Sequence, residues 1–268
     1  MSHLIPVHLS AKVRLEKYVA VLVLVSTSAT TQLGAQSPVQ PAPRPDSVRV
    51  SARQAAEYER LRTDWAGLQT FVKANSELPA PAPDEERVVF MGNSIIELWT
   101  PYFGTMFPGK RYIGRGISGQ TTPQMLVRFR QDVVELHPKA VVILAGTNDI
   151  AGNTGPATLE MIENNLASMA ELAKANGIRV VLASVLPAYS YSWRPSVQPA
   201  PIIVALNSWI RDYARQHGAV YLDFHSAMVD ERLGLRKDLS ADGVHPDEAG
   251  FRVMAPLAEA AIRTALQK

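Results

Sequence analysis

Ala140-Val141-Val142-Ile143-Leu144-Ala145-Gly146-Thr147-Asn148-Asp149 is the stretch from which the fold can be read. Its opening apolar run has no polar alternation, which predicts a strand covered on both faces, as in a parallel sheet flanked by helices. The run then gives way abruptly to a polar, glycine-containing loop. Outward in both directions the pattern repeats. Short apolar runs at residues 87–91, 111–113, 178–182 and 219–222 alternate with amphipathic segments at 122–137, 157–176 and 201–217, and residues 251–266 close the chain as a helix. Within these segments apolar residues recur three or four apart, as in Met125, Phe129, Val133 and Leu136. Asn176-Gly177 supplies a helix stop before the fourth strand. The expected fold class is α/β, a three-layer α/β/α sandwich on a five-stranded parallel sheet, occupying residues 84–268.

Upstream the composition changes. Pro79, Pro81 and Pro83 separate the sheet region from residues 51–74, where Tyr58, Leu61, Trp65, Leu68, Phe71 and Val72 predict one amphipathic helix. That helix would serve as a cap on the domain or as a dimer surface; the oligomeric state is open. Residues 36–50, with Pro38, Pro41, Pro43 and Pro45, read as a semi-extended linker. Residues 1–35 combine Lys12, Arg14 and Lys17 with an apolar run from Tyr18 to Val25 and a small residue at Ala35. These are the parts of a secretory signal, cleaved after Ala35, and they predict a secreted or periplasmic protein. The apolar run is well short of the ~20 residues of a membrane span, so no stable insertion is expected after cleavage; an uncleaved anchor is the alternative.

Composition narrows the function. The 268 residues are 47% hydrophobic and 19% charged, enough for a sizeable core. The formal charge of +2 is too small for a phosphate-binding surface. Residues 1–35 account for all of it, with three bases against the single acid Glu16, so the remainder is formally neutral and nucleic acid is not an expected partner. The absence of cysteine removes disulfides, thiolate nucleophiles and Cys-based zinc sites together. No cofactor and no metal are expected.

In an open parallel sheet, ligands bind beyond the carboxyl ends of the strands. That rule selects Gly92-Asn93-Ser94, the segment Gly114 to Gly119, Gly146-Thr147-Asn148-Asp149, the loop around Tyr189 to Arg194, and Asp242-Gly243-Val244-His245. Taken singly each is weak. A serine between strand and helix is more often an N-cap than a nucleophile, and Asn or Asp after glycine is a common turn residue. Asp242 and His245 say more as a pair: three apart in a turn, the carboxylate can accept the Nδ1 proton and leave Nε2 free as a base. Gly114-x-Gly116-x-x-Gly119 matches a dinucleotide fingerprint. It follows the second strand rather than the first, and no acidic residue ends a strand about 20 positions on. A glycine turn offering its N–H serves equally well to hold an oxyanion.

Together, Gly92-Asn93-Ser94, Gly119, Gly146-Thr147-Asn148-Asp149 and Asp242-x-x-His245, in that order, resemble the four blocks of the SGNH/GDSL hydrolase family. The resemblance covers residues 87–266. It implies a flavodoxin-like fold, with Ser94 as nucleophile, His245 as general base and then acid, and Asp242 as its orienting partner. It also implies an oxyanion hole made by the Ser94 and Gly119 N–H groups and the Asn148 amide. Two departures stand out. The family usually has Asp before the serine, where this chain has Asn93, and its second block often begins with Asn, where this chain has Gly114.

Family members include polysaccharide deacetylases, lysophospholipases and thioesterases, so the resemblance implies a small-molecule or polysaccharide acyl ester as substrate. Tyr189, Tyr191, Trp193 and Arg194 should reach the same rim, where the rings would stack on sugar faces or close over the core. Arg115 and Arg194 could meet an anionic substrate or be solvated or paired. The expectation is an exported serine esterase acting through a Ser-His-Asp triad and an acyl-enzyme, with a short-acyl carbohydrate ester as substrate. The alternatives are lysophospholipid or thioester hydrolysis, and a catalytically weak glycan-binding module.

Overall fold

The computed structural model describes residues 52–268, so the expected signal and linker at 1–50 lie outside the described residues. Five parallel strands, β1 (Val88–Gly92), β2 (Tyr112–Gly116), β3 (Ala140–Leu144), β4 (Arg179–Ala183) and β5 (Val220–Leu222), form one sheet in the order β2-β1-β3-β4-β5. The chain starts near one edge, steps outward to β2 and returns past β1 to β3. This is the doubly wound order in which the crevice lies at the carboxyl ends of β1 and β3.

The helices are α1 (Ala52–Thr63), α2 (Val72–Ser76), α3 (Ser94–Trp99), α4 (Phe103–Met106), α5 (Thr122–Asp132), α6 (Thr147–Ile150), α7 (Leu159–Ala175), α8 (Pro199–His217), α9 (His225–Met228) and α10 (Glu248–Leu266). Strand residues alternate between two apolar layers. Val89, Met91, Val141 and Ile143 pack with Met125 and Phe129 of α5, Leu166 and Met169 of α7, and Leu206 and Ile210 of α8. Val88, Phe90, Val142 and Leu144 face Ile96 and Trp99 of α3 and Phe251, Met254 and Ile262 of α10. Both faces being covered is why the strands carry no polar alternation. Each fully buried Val, Leu or Phe contributes about 1.5–3 kcal/mol. Among the described residues no helix is long and apolar enough to cross a membrane.

Two expectations are corrected. Residues 51–74 are not one helix: α1 stops at Thr63 and α2 begins at Val72. Between them the Asp64 carboxylate accepts from Leu68 N–H at 2.7 Å and Gln69 N–H at 2.9 Å, and Gly67 takes φ +68°, so the side chain diverts hydrogen bonds that a helix would need. Of the apolar residues with helical spacing, Leu61, Leu68 and Phe71 are half-buried while Tyr58, Trp65 and Val72 are exposed, and the segment from Thr63 to Val72 is a strap whose main chain is bonded to α5. The second correction concerns Gly114 and Gly116, which are part of β2 rather than a loop. A Cβ on Gly114 would lie 1.8 Å from Thr100 Oγ1, and one on Gly116 2.2 Å from Glu97 N. These glycines exist so that β2 can lie directly against α3.

Candidate active site

The parallel register places Gly92 beside both Gly116 and Leu144, so the loops leaving β1, β2 and β3 emerge side by side. Ser94 stands two residues beyond Gly92, Gly119 three beyond Gly116, and Asn148 four beyond Leu144. Ser94 is the first residue of α3, a position whose N–H has no intrahelical acceptor. Asn93 caps that helix, its side-chain oxygen accepting from Ile95 N–H at 3.1 Å.

Across the rim, Ser94 Oγ is 2.9 Å from His245 Nε2, and His245 Nδ1 is 2.7 Å from Asp242 Oδ2. The turn that brings Asp242 to His245 is built locally. Asp242 Oδ1 accepts from Val244 N–H at 2.9 Å and His245 N–H at 2.8 Å, Gly243 sits at φ +76°, and the Ser240 hydroxyl donates to the same carboxylate. Burial pushes the Asp242 carboxyl up, but the His245 and Val244 N–H groups and the His245 imidazole outweigh it and hold it at about 2. An ionised Asp242 accepts a hydrogen bond from Nδ1–H, which keeps the proton on that nitrogen and leaves Nε2 as acceptor toward the Ser94 hydroxyl. Asp247 then caps α10, accepting from Ala249 and Gly250 N–H, so the histidine loop is fixed at both ends.

Opposite the histidine, Gly119 is exposed in a left-handed turn at φ +78°. Its loop is held to α3 by Glu97, which accepts from Ser118 N–H at 2.6 Å. The buried Asn148 amide donates one N–H to Gln120 O at 2.9 Å, leaving its second N–H for another acceptor. Next to it, Asp149 is buried and accepts from Thr122 N–H at 3.0 Å and from the Thr122 hydroxyl at 2.5 Å. Burial lifts the Asp149 carboxyl to about 6 against those bonds. Asp149 therefore ties the loop after β3 to the start of α5. Among the described residues no three His, Asp or Glu side chains cluster as metal ligands.

The loop after β4 divides. Trp193 is 40% exposed, and its ring centroid lies 6.5 Å from that of His245. Its Nε1–H donates to Asn153 Oδ1 at 3.1 Å, while Asn153 Nδ2 donates to Gly119 O at 3.2 Å, so one amide links the tryptophan to the glycine turn. Tyr189 is 56% exposed and carries the Arg232 guanidinium 4.9 Å over its ring. It borders a groove of about 390 Å³ that reaches Asp242 and Gly243. Tyr191, expected among the substrate-facing rings, is fully buried instead: it stacks under Trp193 at 5.0 Å and shares a 2.8 Å hydrogen bond with the Thr147 hydroxyl. Arg194 is exposed, with its N–H donating to Tyr191 O. Arg115 is buried and donates to Asn75 Oδ1 and Gly114 O, which removes it from any substrate contact.

Sequence reasoning missed Gln120 and the fully buried pair Arg128 and Asp132, 3.0 Å apart. Arg128 donates to Gln120 Oε1 at 2.6 Å, to Gly92 O at 3.0 Å and to Arg115 O at 2.9 Å. A signal was present: Arg128 and Asp132 fall on the same face of α5 as Met125 and Phe129, and opposite charges four apart on an apolar face ask for a buried role.

Known proteins resemble this chain in sequence and in fold. A solved GDSL-like lipase from Bacteroides thetaiotaomicron is 45% identical, covers 75% of this chain and 100% of its own, and superposes with a TM-score of 0.73. An acetylxylan esterase of Xylanibacter ruminicola is 27% identical over 69% of this chain, and esterase TesA of Pseudomonas aeruginosa 32% identical over 51%. The chain spans 45% and 61% of the lengths of those two esterases. The model of the GDSL-like lipase/acylhydrolase family matches residues 90–253, which runs from β1 through the histidine loop into α10. The chain belongs to the GDSL-like lipase/acylhydrolase family.

Proposed function

We propose that this chain is a serine esterase in which Ser94, His245 and Asp242 act as the catalytic triad. The observation that carries the reading is the pair of contacts at one imidazole, 2.9 Å to Ser94 Oγ and 2.7 Å to Asp242. A serine hydroxyl becomes nucleophilic when a positioned base takes its proton. In this reading Ser94 Oγ attacks the ester carbonyl as its proton passes to His245 Nε2, and Asp242 stabilises the imidazolium. The oxyanion is held by the Ser94 and Gly119 N–H groups and the free N–H of the Asn148 amide. Collapse passes the proton to the leaving alkoxide and leaves an acyl-Ser94 ester. Water, deprotonated by His245, then releases the carboxylic acid and restores the serine.

For the substrate we propose a short-acyl ester on a carbohydrate. Trp193 offers a partly exposed ring beside His245, and Tyr189, half exposed with Arg232 over one face, lines an open groove that reaches Asp242. The similarity to an acetylxylan esterase supports the same class. Export with cleavage after Ala35 would bring the enzyme to such a polymer, and N-terminal sequencing of the mature protein tests it.

Hydrolysis of p-nitrophenyl acetate by wild type and Ser94→Ala tests the triad. Loss of nearly all turnover in the variant is expected, and equal rates would leave a glycan-binding module as the reading. Acetate release from acetylated xylan, set against fatty-acid release from lysophospholipid, tests the substrate. Preference for the lipid would overturn the carbohydrate assignment while leaving the triad intact.

A further inference from the structure

The strap between α1 and β1 lies outside the matched family region, yet it touches the active site through one side chain. Three glutamine amides donate to its main chain: Gln120 to Ala66 O at 2.7 Å, Gln124 to Trp65 O at 2.6 Å and Gln131 to Leu68 O at 2.7 Å. Phe71 slides its ring beneath two guanidinium groups, 4.8 Å from Arg115 and 5.9 Å from Arg128. Asn75 receives Arg115 Nε–H and donates to Asp132 Oδ1.

Of these contacts only Gln120 reaches the reacting groups. The residue is 1% exposed and its side chain is bonded at both ends, one amide N–H going to Ala66 O and the oxygen accepting from Arg128 Nε–H at 2.6 Å. Its backbone carbonyl accepts the Asn148 amide at 2.9 Å, and it directly follows Gly119. Arg128, the other partner, also donates to Gly92 O, two residues before Ser94. A carboxamide has two N–H groups roughly 120° apart, so the acceptor that fixes one fixes the direction of the other.

We propose that Gln120 is a positioning residue for the oxyanion hole, and that the strap is thereby a working part of the active site. Gln120, clamped between Ala66 and Arg128, holds its own carbonyl where it orients the Asn148 amide. The inference rests on the proposed role of Asn148 as an oxyanion donor.

Gln120→Met removes both side-chain hydrogen bonds at similar length. In p-nitrophenyl acetate hydrolysis it should lower kcat by about tenfold with KM within about twofold, because the interaction is realised in the transition state. The same substitution in an Asn148→Ala background should lower kcat less than about twofold, since there is no amide left to misdirect. Gln131→Met, which loses a strap contact at Leu68 O and a 3.3 Å contact with Asp132 without touching Gln120 or Asn148, should lower the melting temperature and leave kcat near wild type. If Gln120→Met does not fold, Gln120→Glu keeps the acceptor for Arg128, loses the donor to Ala66, and should show the same kcat-selective, Asn148-dependent loss. An equal fold-loss with and without Asn148, or an unchanged kcat, overturns the positioning role. Wild-type turnover in Asn148→Ala itself would instead remove the oxyanion assignment on which the inference rests.

Discussion

Gly116→Ala is the sharpest test of how the fold places Ser94, the proposed nucleophile. The added Cβ would sit 2.2 Å from Glu97 N, 2.6 Å from Asn93 O and 2.8 Å from Ile96 C, all of them backbone atoms of α3 or its cap. Ordinary contact begins at 3.4 Å, so α3 must retreat from β2 by more than 1 Å near its first turn. Ser94 is the first residue of that turn, and the 2.9 Å bond to His245 cannot survive such a shift in the histidine's absence of compensating movement. A misplacement of ~1 Å at reacting atoms costs ~10²-fold in rate, and overpacking costs about 1–3 kcal/mol of stability. Gly114→Ala makes the useful contrast, because its nearest clash, at 1.8 Å, is the Thr100 side chain at the far end of α3. The assay is kcat/KM on p-nitrophenyl acetate with thermal unfolding in parallel. Gly116→Ala should lose about a hundredfold in kcat/KM and Gly114→Ala distinctly less. Near-wild-type turnover in a folded Gly116→Ala would refute the claim that this glycine exists for helix packing and nucleophile placement.

Three further outcomes are expected. Asn148→Ala should cost ~10²–10³ in kcat, and Asn148→Asp more, because a carboxylate there faces the Gln120 carbonyl and the developing oxyanion; equal turnover in the two variants would count against the donor role. The Asp149 carboxyl, lifted by burial to about 6, binds its proton more tightly in the folded chain than in the unfolded one, so it costs stability as pH rises from about 4 to about 6. Asp149→Asn lacks that slope, and its stability relative to wild type, read by urea unfolding, should rise by on the order of 2–3 kcal/mol between about pH 4 and pH 7; a flat difference would contradict the buried carboxyl. Trp193→Ala should raise KM about three- to tenfold on acetylated xylo-oligosaccharides, the loss of one aromatic stacking contact. Its kcat on p-nitrophenyl acetate should change little, and an unchanged saccharide KM would dismiss the platform.

What the sequence revealed follows the range of the forces involved. β3 was legible to the residue, because an apolar run covered on both faces needs no partner to be recognised. The Asp242 to His245 turn was legible because its hydrogen bonds close within three residues. The Gln120 and Arg128 clamp was not, since its partners at Ala66, Gly92 and Arg115 are set by which strands become neighbours. Tyr191 and Trp193 mark the boundary most clearly. Two aromatic residues, two apart in one loop, look alike in sequence; the path of the loop buries one on Thr147 and leaves the other beside His245.

Asn93 can be placed in the same terms. Its oxygen caps Ile95 N–H as an Asp oxygen would, so the substitution keeps the local turn and deletes only a charge. Beneath that turn the buried side chains Arg115, Arg128 and Asp132 carry a formal excess of one positive charge, partly screened by the Phe71 ring face. Arg128 reaches Gly92 O, and the positive end of the α3 dipole points the same way toward Ser94. A carboxylate at residue 93 would offset that potential next to Ser94. The neutral amide leaves it in place, where under the proposed mechanism it favours the negative charge that would develop on the ester oxygen. If Ser94 is the nucleophile, the uncharged Asn93 leaves buried Arg128 of α5 and the amino terminus of α3 acting with the same sign on the reaction's developing charge.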